Sequence, residues 1–300
     1  MTAKFIATLA VAAALGTATG AMAADMAVKA PRLAVAPAFS WTGCYVGGNV
    51  GWDGSHNNDI LFPTGNYLNP AGVLAPPNVN GTGALLGDQV AVTHFYSSSA
   101  SGFTGGGQVG CNLQTGQWVF GGEADINWSG SRNNIFAAFP PVTSANPAFT
   151  ISPETDIVST KMDWFSTIRG RVGFTVNRLL IYATGGLAIA DVRSTTSVSF
   201  TTAGTSPVYA GAQHLGSMST TRLAAVVGAG AEYAFDNHWS VKAEYLYFDL
   251  GHFGYSSPLV APAGVAPGYS WQTNASLREQ VVRVGLNYRF NWAGPVVAKY

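Results

Sequence analysis

The sequence is poor in charge. Only 10% of its 300 residues are Asp, Glu, Lys or Arg, and the 15 basic side chains cancel the 15 acidic ones. A chain so balanced has no electrostatic footprint for nucleic acid, and no nucleic-acid partner is expected. Cysteine is nearly absent: Cys44 and Cys111 leave room for one disulfide. Beyond the N-terminus there is no run of 18 apolar residues, which excludes a helical membrane span. What the chain has instead is 36 glycines and 12% aromatics, a composition suited to a wall that faces lipid.

The N-terminus reads as a secretory signal. Lys4 supplies the positive charge, residues 5–18 the apolar region, and Ala21-Met22-Ala23 an A-x-A cleavage site. Cleavage between Ala23 and Ala24 is expected, with 1–23 as signal peptide. A stretch of about 14 apolar residues is short of the roughly 20 a permanent span needs. Residues 24–40, rich in Ala and Pro, read as a periplasmic leader.

From Trp41 onward the dominant signal has period 2. It recurs in eight segments: 41–52, 102–113, 118–129, 163–175, 179–192, 221–235, 239–249 and 278–290. These are long for soluble strands but suit tilted strands crossing a bilayer. Within them the charges keep to one parity. Glu123 and Asp125 oppose Trp118, Phe120, Ala124, Ile126 and Trp128. Arg169 and Arg171 oppose Trp164, Ile168, Val172 and Phe174. Arg222 and Glu232 oppose Leu223, Val227 and Tyr233. Lys242 and Glu244 oppose Trp239, Val241 and Tyr245. Arg283 and Arg289 oppose Val282, Val284, Leu286 and Phe290.

A soluble sandwich would turn the apolar parity inward, and a membrane barrel turns it out. The connections decide between them. Residues 53–101, 130–162, 193–220 and 250–277 form long links, whereas 114–117, 176–178 and 236–238 form short ones. Short periplasmic turns alternating with long outer loops mark an outer-membrane barrel. Trp52, Trp118, Trp128, Trp164 and Trp239 fall near segment ends on the outward parity, as interfacial aromatics do. The expected fold is all-β: an eight-stranded antiparallel up-and-down transmembrane β-barrel over 41–290, integral to the outer membrane of a Gram-negative bacterium, followed by a C-terminal extension, 291–300.

The segments WTGCYVGGNVGW, GFTGGGQVGCNLQTGQWVFGGEAD, DWFSTIRGRVGF, LLIYATGGLAIAD, WSVKAEYLYFDLG and VRVGLNYRF resemble the porin-family small outer-membrane proteins of rhizobia and Brucella. The resemblance implies an opacity-protein-like barrel of eight strands, with roles in envelope integrity, host contact and sometimes ligand binding. The ending NYRF resembles the aromatic last strand read by outer-membrane assembly machinery, which makes that machinery and outer-membrane lipids the expected partners.

Other constellations point away from chemistry. Gly105-Gly106-Gly107-Gln108-Val109-Gly110 has the G-x-G-x-x-G spacing but lies within a strand, not between strand and helix. His56, His94, His214, His238 and His252 are expected outside the strands, with no pair at metal-ligand spacing. Hence no catalytic residue, metal or cofactor is expected, and the chain is read as a non-enzyme. Glu123, Asp125, Arg169, Arg171, Arg222, Glu232, Lys242, Glu244, Arg283 and Arg289 are expected to fill the lumen as paired charges, since eight strands enclose little more than their own side chains. Cys44 and Cys111, on neighbouring strand ends at the periplasmic rim, are expected to form a disulfide. The leading function is structural, in envelope integrity. The alternatives are a narrow porin-like diffusion channel and an adhesin or ligand binder acting through the outer loops.

Overall fold

The computed structural model describes residues 39–64, 67–68, 74–75, 93–143, 150–151, 153–202, 211–261 and 270–290. The expected signal peptide and Ala23–Ala24 cleavage point, most of the expected leader and the extension 291–300 lie outside them.

Nine long strands make the sheet: β1 (Gly43–Thr64), β2 (His94–Thr115), β3 (Trp118–Ser129), β4 (Arg132–Phe139), β5 (Glu154–Val176), β6 (Leu179–Phe200), β7 (Gln213–Ala234), β8 (Trp239–Ala261) and β9 (Ser270–Phe290). β3 and β4 run in one direction, every other strand is antiparallel to the one before it, and β9 returns to pair with β1 from Cys44↔Phe290 to Thr64↔Ser270. The ring is therefore closed, and no edge is left to lipid. β3 and β4 form one stave of eight. β5 pairs with β3 through its lower half and with β4 through its upper half.

The stave breaks at Gly130-Ser131, where the chain bulges toward β2 and Gly130 N–H donates to Phe103 O at 2.9 Å. A side chain at Gly102 would meet the Ser131 nitrogen at 2.5 Å, so the bulge requires glycine there.

The periplasmic turns are tight for local reasons. Thr115 and Val176 each pair with a residue only three positions on, across Gly116-Gln117 and Asn177-Arg178. Gly116 (φ 61°) and Asn177 (φ 57°) take the left-handed backbone such hairpins need. In the third turn the Asp236 carboxylate accepts from the His238 and Trp239 amides at 2.7 and 2.6 Å. These bonds hold its pKa below the usual carboxylate range.

The strands run well past the eight alternating segments. β1 continues twelve residues beyond Trp52, and β2 begins eight before Gly102. The upper halves are rich in Ser, Thr and Asn on both faces, so they carry no lipid signature, yet between β1 and β2 and between β6 and β7 the backbones keep the ladder of bonds. Much of each link expected as loop is therefore wall. His56, His94, His214 and His252, expected outside the strands, lie in these extensions; only His238 sits in a turn.

The outer wall carries two aromatic rims. Trp52 packs edge-on against Phe103, and Trp128 stands in register with Trp164. On the periplasmic side Trp118 meets Phe174 and Trp239 meets Tyr288. All five tryptophans are exposed on the outer face. From Trp118 to Trp128 the strand climbs about 33 Å along its axis. Tilted by about 40°, that spans roughly 25 Å, the height of an apolar barrel band.

Candidate functional site

The lumen is the first candidate. Inward side chains stack in layers. At the periplasmic end Trp41 is buried, and its indole N–H donates to Thr175 Oγ1 at 2.8 Å. The Arg289 guanidinium lies over the Phe39 and Trp41 rings at 4.6 and 4.8 Å and donates to Ser40 O. Together with Val119, Leu180 and Ala234 these residues plug the lower end.

Above the plug lies a charged belt drawn from β3, β5, β7, β8 and β9. Arg169 donates to Glu123 at 2.6 Å, Asp125 at 2.8 Å and Glu244 at 2.9 Å. Lys242 binds both oxygens of Glu123, at 2.6 and 2.8 Å. Arg283 joins Asp125 at 2.8 Å and Glu244 at 2.7 Å. Arg171 reaches Glu232 at 3.1 Å and stacks between Tyr45 and Tyr182, whose hydroxyls donate to Glu123 and Glu244. None of these eight charged residues is more than 5% exposed.

The period-2 charges thus converge as four carboxylates and four cations, a neutral set, among the described residues. Arg289 and Arg222 stand apart from it. Arg222 is half-buried, with its guanidinium 5.5 Å from the centre of the Phe253 ring. A further layer above the belt is apolar, with Phe165, Val192, Val226, Phe248, Leu277 and Val281 among its members.

Small inward positions make the belt possible. A side chain at Gly110 would collide with the Tyr45 hydroxyl and lie 2.7 Å from Gly122 O. The last glycine of the G-x-G-x-x-G run therefore clears space for a tyrosine.

Cys44 and Cys111 stand opposite each other in the β1–β2 register and are joined as a disulfide on the outer wall. By the chain-entropy argument, a bridge between residues 67 apart contributes about 4 kcal/mol.

The second candidate is the extracellular end. Here the structure brings together residues that the period-2 segments did not include. The His94 ring, at the start of β2, has Nδ1 2.7 Å from Asp156 Oδ2. Tyr96 donates its hydroxyl to the same oxygen at 2.6 Å. Glu154 stands two residues from Asp156 on the same inward face of β5, and Phe139 stacks on the His94 ring at 4.3 Å. Burial first, then the charge and hydrogen bond of Asp156, push Glu154 up to about 9.

Asp53, Asp59 and Glu279 are also fully buried on inward faces, and both carboxylate oxygens of Asp59 and Glu279 lack a hydrogen-bond partner among the described residues. Burial pushes Asp59 up to about 6. Glu279 shares the parity of Arg283 and was legible on that signal. The others lie in stretches where isolated outward apolar residues such as Phe95 and Ile157 are interspersed with Ser and Thr, so no sustained alternation marks the inward face.

An outer-membrane protein β-barrel domain model matches residues 9–290. The chain belongs to the outer-membrane β-barrel protein family. It is 32% identical over 278 residues to the 31 kDa outer-membrane immunogenic protein of Brucella melitensis, covering 91% of this chain and 95% of that protein. It is 28% identical to the 22 kDa outer membrane protein of Rhizobium leguminosarum bv. viciae, over 72% of this chain and 67% of that one. Among solved structures, the attachment invasion locus protein Ail of Yersinia pestis aligns with a TM-score of 0.32 at 11% identity, over 83% of this chain and 99% of that one. The barrel is thus an integral protein of the outer membrane, and both relatives match the small rhizobial and Brucella barrels that its strand motifs resemble.

Proposed function

We propose that this barrel is a structural component of the outer membrane that holds its lumen closed and presents its upper wall and loops outside the cell, without enzymatic activity. The neutral belt of Glu123, Asp125, Glu232 and Glu244 with Arg169, Arg171, Lys242 and Arg283 carries the reading. A diffusion channel needs a continuous open path, whereas these buried side chains pair with one another across the lumen between the aromatic plug and the apolar layer. Purified protein in planar bilayers is expected to show no defined conductance step. Steps that change when Arg169 or Arg171 is neutralised would establish the channel instead. The Brucella relative's description as immunogenic fits an exposed upper wall.

Lipid is the partner this surface suits. Arg132, Lys161 and Arg193 stand in one register row across β4, β5 and β6 on the outer face. The row lies just above Trp128 and Trp164, at the height of outer-leaflet headgroup phosphates. Asp163 and Asp191 brace Lys161 and Arg193 at 3.0–3.3 Å. Each cation near an anionic membrane surface is worth about 1 kcal/mol. Replacing all three by Gln is expected to lower retention of phosphorylated lipid through purification, and unchanged retention would remove the row from this role.

A further inference from the structure

Two ways of burying carboxylates occur in one lumen. In the belt, every carboxylate has a guanidinium or ammonium within 3.1 Å. At the extracellular end, Glu154 and Asp156 are 8% and 0% exposed, yet neither has an Arg or Lys partner among the described residues. Glu154 Oε1 and Asp156 Oδ1 are buried with no hydrogen-bond partner among the described residues. An ionised carboxylate removed from water without compensation is costly, so such groups take a proton, a cationic partner or a metal ion.

The third member of the cluster discriminates among these. His94 comes from β2, separated from β5 by β4, and its side chain is only 9% exposed. Ligand atoms of His94, Glu154 and Asp156 lie within 4.8 Å of one another. Phe139 and Trp271 wall the imidazole, at ring distances of 4.3 and 5.6 Å. The Tyr96 hydroxyl holds Asp156 Oδ2, leaving Oδ1 free.

We propose that His94, Glu154 and Asp156 form a binding site for a divalent transition-metal ion of the zinc class. One imidazole nitrogen with two carboxylates suits zinc-like ions, whereas calcium takes six to eight oxygens and magnesium keeps most of its water. Tetrahedral bonds of about 2.0–2.1 Å put donors about 3.3 Å apart. The 2.7 Å between His94 Nδ1 and Asp156 Oδ2 is a hydrogen bond, so the ion enters by displacing the bridging proton and parting the two groups by about 0.6 Å. Three protein donors leave the fourth position to water or to an external ligand. Once bound, the ion ties β2 to β5 across β4 and supplies a positive charge to Glu154 and Asp156, which have no Arg or Lys partner among the described residues.

The test uses the mature protein refolded in detergent micelles and stripped with chelator. Folding is verified for every variant by the mobility difference between unheated and boiled samples on gels. Titration with ZnCl2 by calorimetry is expected to give one ion per chain. His94→Ala and Asp156→Asn are each expected to weaken binding at least about tenfold, the loss typical of a disturbed metal shell. Asp59→Asn, which removes another buried carboxylate, is expected to leave affinity unchanged. Co2+ in the wild-type protein is expected to give the visible absorption of a low-coordinate site, a readout that needs no variant. Absence of that absorption, absence of stoichiometric zinc binding, or equal affinity in folded Asp156→Asn protein would overturn the proposal.

Discussion

Arg169 is the group on which the belt most depends, because its guanidinium donates hydrogen bonds to Glu123, Asp125 and Glu244 together. Replacing it by Met keeps most of the volume and removes the charge. The described belt then holds four carboxylates against three cations, and one carboxylate is left uncompensated. Removing one member of a buried pair typically costs about 3–5 kcal/mol. Lys242 and Arg283 still reach the three carboxylates, which places Arg169→Met toward the lower end. Equilibrium unfolding in urea, followed by tryptophan fluorescence and gel mobility, reads the loss. A second change distinguishes charge balance from mere loss of packing. Glu244→Gln added to Arg169→Met restores three against three, and the double variant is expected to recover about 1–2 kcal/mol, within the range of coupled neighbours. If Arg169→Met costs less than about 1 kcal/mol, the belt is solvated and the closed-lumen argument fails. If the double variant is as unstable as the sum of the two single changes, the charges act independently and the belt is no network.

Two other perturbations test the same physics elsewhere. Gly110→Ala forces a methyl against the Tyr45 hydroxyl and Gly122 O. It should cost about 1–3 kcal/mol by overpacking, and a neutral result in the urea experiment would mean that Tyr45 moves freely. Asp59 is buried, which pushes its pKa up from 3.8 to about 6. The folded protein therefore holds its proton more tightly than the unfolded chain does, so stability from this group is present below pH 3.8 and is lost as pH rises through 6. Asp59→Asn should be near neutral at pH 4 and stabilise by up to about 3 kcal/mol at pH 7.5, and a pH-independent effect of the substitution would contradict that assignment.

Among individual elements, the sequence was most legible where lipid writes on it. β3, Trp118–Ser129, matches its period-2 segment at both ends, because its outward residues must be apolar and its inward ones must fill a narrow lumen. The same constraint marked the charges of the belt and the five rim tryptophans. Above Trp52 and Trp164 both faces meet polar surroundings, so alternation fades. The strands there are held by backbone bonds, which any residue supplies, and His94 could not be told from a loop residue.

The sequence by itself determined that this chain is a barrel, which way its wall faces, and which end carries the short turns, since a bilayer allows one solution for an alternating chain without helical spans. Only the tertiary structure decided who meets whom. Arg169 finds Glu244 on β8, 75 positions away, and His94 finds Asp156, 62 positions away. Those partnerships depend on strand register and on the closure of β9 onto β1, long-range quantities that no local pattern encodes.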